Sequence, residues 1–400
     1  MIALTIEKWW VGSFFKSLYP SENFLSFIKK SNILKNHVFH PLLVLVVFAA
    51  FLILSLNPIS KNLQITLLIA FIFFFIGATI IPRFFLNKIP EKPLIDFHFE
   101  DLYSIGFCLI LVSVVFFFIS IASVGGVPIL KPSLRYSLKA VFTMPVFLII
   151  PGACILGSIY IKKFKDNVIT RSQARFRFVI LLAVCCVFLL GLGYRTHLLA
   201  IFIVLIVLGY YGDVLAIWEV VVGALIGVCA IIGIGYYRAL EELTMTSSIS
   251  PFYSLQNRAD FTLGVLEKLD SVGGTFGTSG GKVLVSSIPG SANSPRMVVG
   301  RLISWRSEVS VTPTLIGQMV ADFGKIGVAV EMTILGFILG IGYKLMKKTK
   351  NYFYIGIYSL ILTYTILGVE TGILDIQVLA YFIIALIIYL IYIGKSYLKN

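Results

Sequence analysis

Residues Arg301–Gly327 read RLISWRSEVSVTPTLIGQMVADFGKIG, and an apolar run continues from there to Met346. Arg301, Arg306 and Glu308 fall in the first eight residues, Thr312-Pro313 follow, and Asp322, Gly324, Lys325 and Gly327 close the stretch. Thr314 to Met346 is about 33 residues, roughly 50 Å as one helix against about 30 Å of hydrocarbon. A helix of that length has to break, tilt or protrude. Asp322-Phe323-Gly324 supplies a break. The reading is therefore a separate short helix over 313–322, with Thr312 as N-cap and Pro313 as first residue, and a true span beginning near Lys325. A short helix of this kind presents free N–H groups and a partial positive charge at its start, which suits an anion. The plainer alternative is an interfacial cap.

The composition of the whole chain sets the context. It is 58% hydrophobic and 13% charged over 400 residues, with mean hydropathy +0.96. Long, nearly uncharged runs recur along it, and each reads as a membrane helix. The fold class expected is an all-α polytopic membrane protein. Ten spans are read at 37–56, 63–82, 102–123, 138–161, 178–194, 196–211, 214–237, 325–346, 353–370 and 374–394. The net charge of +14 fits basic cytoplasmic loops better than nucleic-acid binding. Cys108, Cys154, Cys185, Cys186 and Cys229 all lie in apolar runs and give neither a metal site nor a disulfide framework. Residues 1–20 lack a clean apolar core, so a cleaved signal peptide is not expected.

Orientation follows the lysines and arginines. Loop 162–177 carries Lys162, Lys163, Lys165, Arg171, Arg175 and Arg177, and is placed in the cytoplasm. Alternation then puts 347–352 and both termini on the same side. Segment 1–36 is too interrupted to span, and its aromatics among lysines read as interfacial helices. The domain reading is 1–36 interfacial helices, 37–237 a seven-helix membrane region, 238–322 a large outer loop with short helices, and 323–400 a three-helix region with a basic tail. Within the long loop, Ser250-Pro251 starts a helix, Leu255, Ala259, Leu263, Leu266 and Leu269 recur at helical spacing, and Gly273-Gly274 stops it. Residues 273–295, rich in Gly, Ser and Pro, read as flexible. GTSGGK (Gly277–Lys282) is not a phosphate loop, because that pattern needs glycine at Phe276.

Several arginines are assigned to the outer face: Arg135, Arg195, Arg238, Arg301 and Arg306. Arg135 and Arg195 run against the positive-inside rule, whereas Arg258 and Arg296, in the long loop, are exempt from it. Arginine grips phosphate through a planar fork that stays charged, and the set suits a pyrophosphate. For any single arginine, snorkelling or pairing with a neighbouring carboxylate is the ordinary fate. Thr312, Thr314 and Asp322 join the candidate binding residues through the short helix. Glu308 and His197 are candidates for a base, with Arg306 and Arg195 beside them, and Glu241, Glu242, Asp260 and Glu331 are further acids to weigh. No outer cluster has metal spacing, so neither a metal nor another cofactor is expected. DFHFED (Asp96–Asp101) is assigned cytoplasmic and to helix capping.

The layout resembles the Wzy-type oligosaccharide repeat-unit (O-antigen) polymerases. The resemblance covers most of the chain as architecture, with many spans, basic inner loops and one large late outer loop. Its local echoes are GGVPIL (Gly125–Leu130) ahead of Arg135, YRTHLL (Tyr194–Leu199) around Arg195, and TPTLIGQMVADFGKIG (Thr312–Gly327). Arg306 to Gly317 fits the family's Arg-x10-Gly pattern, and Arg135 to Gly152 is one residue longer than its Arg-x15-Gly pattern. The resemblance implies a GT-C-like, metal-independent glycosyltransferase in the cytoplasmic membrane, with its site facing the periplasm or cell exterior. Its substrates are polyprenyl-pyrophosphate-linked oligosaccharides among membrane lipids. A chain-length regulator and a flippase are companions it implies. O-antigen ligases share the architecture but carry a functional histidine in the big loop, and 238–313 has none. A polysaccharide flippase is the transporter alternative, and would call for internal repeats and deep central charges.

Overall fold

A computed structural model describes residues 37–85, 99–242, 251–288, 290–304 and 310–399. Among these residues all regular structure is helical. The helices are α1 (Leu43–Leu54), α2 (Lys61–Phe84), α3 (Phe99–Val124), α4 (Ala140–Lys165), α5 (Arg171–Gly191), α6 (Arg195–Tyr211), α7 (Ile217–Glu242), α8 (Pro251–Gly273), α9 (Lys282–Val285), α10 (Pro295–Ser304), α11 (Thr314–Thr349), α12 (Tyr352–Thr371) and α13 (Ile376–Lys399). Each of the ten segments read as spans falls on one of them. Six, namely α2, α3, α4, α5, α11 and α12, are long and apolar enough to cross a membrane, and the apolar stretches of α1, α6, α7 and α13 are shorter. The interfacial helices expected over 1–36 lie outside the described residues.

The chain divides into two compact units, Met1–His40 with His98–Ala230, and Pro41–Phe97 with Ile231–Asn400. In the first unit α3, α4 and α5 pack side by side, and glycines permit the approach. A Cβ at Gly152 would stand 3.0 Å from the Gly106 carbonyl oxygen. The basic loop read as cytoplasmic is tied down. Thr170 and Gln173 form a reciprocal capping box at the start of α5. The Arg171 and Arg175 Nε atoms both donate to the Val214 carbonyl, at 3.0 and 3.1 Å, and Arg175 also pairs with Glu219 at 2.8 Å.

The second unit is organised around α2 and α11, which run in parallel. Ser60 caps α2 by accepting from the Leu63 N–H. Pro82 has no N–H to return to Ala78, four residues earlier, and a π turn occupies Ile76–Ile80 just before it. Gly340 of α11 lies against the Ala78 carbonyl, where a Cβ would stand 2.5 Å from the oxygen. Gly336 stands in the same relation to the Phe74 carbonyl, and Gly77 to that of Thr333. Small residues on both helices let the backbones touch, which is how helices associate where no hydrophobic drive separates protein from lipid.

A polar network binds the other end of this pair to α8. Asp270, 1% exposed, accepts from Asn62 Nδ2 at 2.7 Å and Thr66 Oγ1 at 2.6 Å, while Lys325 Nζ donates to Asn62 Oδ1. α8 has the face its spacing predicted, with Ala259, Leu263, Leu266 and Leu269 buried and Leu255 half-buried. Arg83, Lys344, Lys347, Lys348 and Lys350 gather near the opposite ends of α2 and α11. Between the two ends, both carboxylate oxygens of Glu331 are buried and have no hydrogen-bond partner among the described residues.

Candidate functional site

The break predicted in α11 sits at Gly324, with φ 60° and ψ −148°. That backbone region is open in practice only to glycine, and a Cβ there would lie 2.5 Å from the Thr275 carbonyl carbon and 2.6 Å from the Gly277 nitrogen. A broken helix exposes unpaired backbone groups at both new ends. Here a segment some fifty residues earlier satisfies them. The Lys325 and Ile326 N–H groups donate to the carbonyls of Gly274 and Thr275 at 3.3 and 3.4 Å, and the Ala321 carbonyl accepts from Thr278 and Ser279 at 2.9 and 3.0 Å. Residues 273–288, expected to be flexible, are therefore folded around the break. Asp322 completes the joint. Its buried carboxylate accepts from the Val283 N–H at 3.0 Å and the Leu284 N–H at 2.7 Å, capping α9 from a distance. A residue read as substrate-binding is thus engaged with backbone.

The short arm ahead of the break, 314–323, begins differently from the expectation. Thr312 does not cap it and Pro313 is not its first residue. Pro313 occupies the N-cap position with no side-chain cap bond, and the helix starts at Thr314. The reason is local backbone geometry: Thr314 adopts φ 64°, a left-handed conformation unfavourable for a β-branched residue, and this turns the chain into the helix without a capping hydroxyl. The Thr312 and Thr314 hydroxyls are both buried, and neither has a hydrogen-bond partner among the described residues. A buried, unmatched hydroxyl costs about 1–3 kcal/mol. Two of them beside a helix N-terminus whose N–H groups are likewise uncapped are suited to a ligand that brings acceptors.

Charged groups flank this N-terminus. Arg296 of α10 pairs with Asp375 at 3.1 Å, and its carbonyl accepts from the Val311 N–H at 3.2 Å. Arg258 of α8 pairs with Glu370, at the end of α12, at 2.7 Å. Gln318, one turn into the arm, holds it to the loop after α12. Its Nε2 donates to the Leu374 carbonyl at 3.0 Å, and its Oε1 accepts from the Leu374 N–H at 3.1 Å. Thr262, one turn along α8 from Arg258, has a third buried hydroxyl without a partner among the described residues. The arrangement concentrates hydrogen-bond donors and two arginines, each held by a carboxylate that an incoming anion can displace or share.

The remaining sequence candidates fall elsewhere. Arg301 donates to Asn293 Oδ1 at 2.8 Å. Arg238 lies within the last turns of α7. Arg306 and Glu308 lie outside the described residues. Arg135 and Arg195 belong to the first unit. There the Arg135 guanidinium stacks 5.0 Å from the Tyr194 ring centre, and Arg195 opens α6 next to that tyrosine. His197 is 5% exposed, with the Phe147 ring 3.8 Å away, centre to centre, and Tyr194 at 5.7 Å. Its ring is enclosed by aromatics, which does not favour a general base for a bulky sugar. Sequence reading passed over Asp375, Glu370 and Gln318, all of which bear on the 370–375 turn, where no periodicity marks them.

The apolar helices, six of them long enough to cross a membrane, define a multi-pass helical membrane protein with a polar site built on a broken helix. The family model described as "Putative O-antigen polymerase" matches residues 37–382, and the chain belongs to that family. It is also 27% identical over 341 residues to an uncharacterized protein, MJ0419, of Methanocaldococcus jannaschii, covering 84% of this chain and 90% of that one. No solved structure matches the chain.

Proposed function

We propose that this membrane polymerase joins lipid-pyrophosphate-linked oligosaccharide repeat units on the outer face of the cytoplasmic membrane. The observation that carries this reading is the start of the 314–323 arm, which has no side-chain cap bond, with two buried threonine hydroxyls beside it that have no partner among the described residues. In this reading the diphosphate of the donor takes its hydrogen bonds from those hydroxyls and the arm's first N–H groups. Arg296 and Arg258 supply the counter-charge, and Arg238, Arg301 and Arg306 remain candidates for further phosphate and saccharide contacts; Arg135 and Arg195, in the first unit, remain candidates on their own account. The lysines gathered near Lys347 mark the cytoplasmic end by the positive-inside rule, which supports an outer location for the arm.

The reaction is an inverting displacement. A hydroxyl oxygen of the acceptor unit bonds to the donor's anomeric carbon as the bond from that carbon to the pyrophosphate oxygen breaks. The leaving pyrophosphate keeps the electron pair, and a carboxylate takes the hydroxyl proton. Glu308, Asp375 and Glu370 are the candidates for that carboxylate. Pyrophosphate leaves readily once its charge is stabilised, and preorganised donors in a dry site supply that stabilisation without a metal ion.

The test uses purified protein in bilayers with lipid-linked repeat units, reading product length and rate. Arg296→Ala, Thr314→Val and Arg258→Ala each lower the rate by about tenfold to a thousandfold, the range for losing a donor that faces developing charge. Polymer of normal length and rate from all three variants would sink the proposal.

A further inference from the structure

A second site lies in the first unit, at the end that carries the basic loop 162–177. Tyr103 of α3, Tyr160 and Lys163 of α4, and Arg177, Ile180 and Val184 of α5 line a cavity of about 400 Å³. The Lys163 ammonium stands 5.8 Å from the Tyr103 ring centre, and the Arg177 guanidinium 5.7 Å from that of Tyr160. Each ring holds a cation in place by its π face. No lining residue is acidic. Of the same loop, Arg171 and Arg175 donate to the Val214 carbonyl and Lys165 pairs with Asp213. Two positive charges from neighbouring helices thus face one cavity lined by no carboxylate.

The rest of the lining decides what kind of anion fits. Ile180 and Val184 are exposed, and the apolar surface continues from the cavity along both bordering helices, through Phe107 and Leu111 on α3 and Val187 on α5. Phe107 stacks on Tyr103, extending the aromatic wall toward that strip. A ligand that fills the cavity and follows these strips has a charged head and long apolar chains. A soluble nucleotide leaves the strips bare, and a zwitterionic headgroup brings a cation to a site that already holds two. We propose that this cavity binds the phosphate of an anionic lipid, with its chains in the groove between α3 and α5. The proposal is independent of the polymerase reading.

Native mass spectrometry of the full chain tests it, with dioleoyl phosphatidylglycerol, dioleoyl phosphatidylcholine or inorganic phosphate added to delipidated protein. Phosphatidylglycerol is expected to be retained and phosphatidylcholine is not. Removal of both charges in the double variant Lys163→Gln with Arg177→Gln lowers occupancy by about tenfold or more, as two lost headgroup contacts require. Lys165→Ala removes one charge of the same loop away from the cavity and leaves occupancy unchanged. If the double variant does not fold, each single substitution serves, with a loss of about threefold or more expected. Equal retention of phosphatidylcholine, wild-type occupancy in the charge variants, or displacement of the lipid by inorganic phosphate at equal concentration would overturn the proposal.

Discussion

Gln318 and Leu374 hold each other by a two-way hydrogen bond, amide to backbone, at 3.0 and 3.1 Å. The contact joins the short arm of α11 to the loop that carries Asp375, and so sets where the arm's N-terminus lies against the Arg296–Asp375 pair. Gln318→Leu removes both bonds and leaves two backbone groups unmatched. A loss of about 1–3 kcal/mol is expected, with a fall in polymerisation rate larger than thermal unfolding alone explains. Rate and melting temperature measured side by side check this.

Thr314→Val should separate stability from activity. Valine keeps the branched shape and discards a buried hydroxyl that has no partner among the described residues. The melting temperature is expected to hold or rise, because an unmatched hydroxyl is removed, while turnover falls. A parallel loss of both would mean that the hydroxyl serves the fold rather than a ligand.

Asp322→Ala strips two N–H groups, those of Val283 and Leu284, of their acceptor. Each charge-assisted bond contributes about 1.5–3 kcal/mol, so the variant should be severely destabilised. Protease nicking within 273–288 should appear first. Asp322→Asn keeps one acceptor oxygen and should recover part of the loss.

Gly336→Val and Gly340→Val force side chains into the carbonyls of Phe74 and Ala78. Overpacking of this kind costs about 1–3 kcal/mol, and more where backbone is the obstacle. Thermal unfolding in detergent should register both, since each meets a second obstacle, the Ala78 nitrogen at Gly336 and the Pro82 ring at Gly340.

Acid should loosen the tie between α1 and α8. The Ser55 hydroxyl, with the Leu56 and Asn57 N–H groups, holds the Asp260 carboxyl below the usual carboxylate range, against an opposing desolvation. A carboxyl whose folded pKa is depressed stabilises the fold above its unfolded value, about 3.9, and loses that stabilisation as pH falls through the folded value. Hydrogen exchange at Leu56 and Asn57 should therefore rise on acidification below about pH 4. In Asp260→Ala, which leaves both N–H groups without their acceptor, it should be fast at every pH.

The legible parts of this chain were those with a period or a punctuation mark. Apolar runs announced the helices, the Leu263–Leu266–Leu269 spacing announced α8, and Gly324 announced the break because a span of that length needed one. Other features depended on partners distant in sequence. Nothing in GTSGGK says that its backbone docks onto Ala321, and nothing near Asp322 says that its carboxylate belongs to α9. Glu370 and Asp375 sit in a turn whose meaning comes from Arg258 and Arg296, over seventy residues away. Thr312 looked like a cap by residue type, yet the positive φ at Thr314 starts the helix without one.

The joint at Gly324 also bears on how the chain is made. Residues 274–279 leave the ribosome before the helix whose carbonyls and N–H groups they will meet. At the moment of insertion, 314–349 is one long helical segment whose Asp322, Gly324 and Lys325 have none of the partners that later hold the bend. The earlier segment is made first and docks once the helix follows. Its docking holds the joint that divides this long helix into an arm and a span, so the polar site depends on a contact between segments some fifty residues apart. Shortening 274–281 should give a protein that inserts normally, keeps its helices, and never assembles the arm.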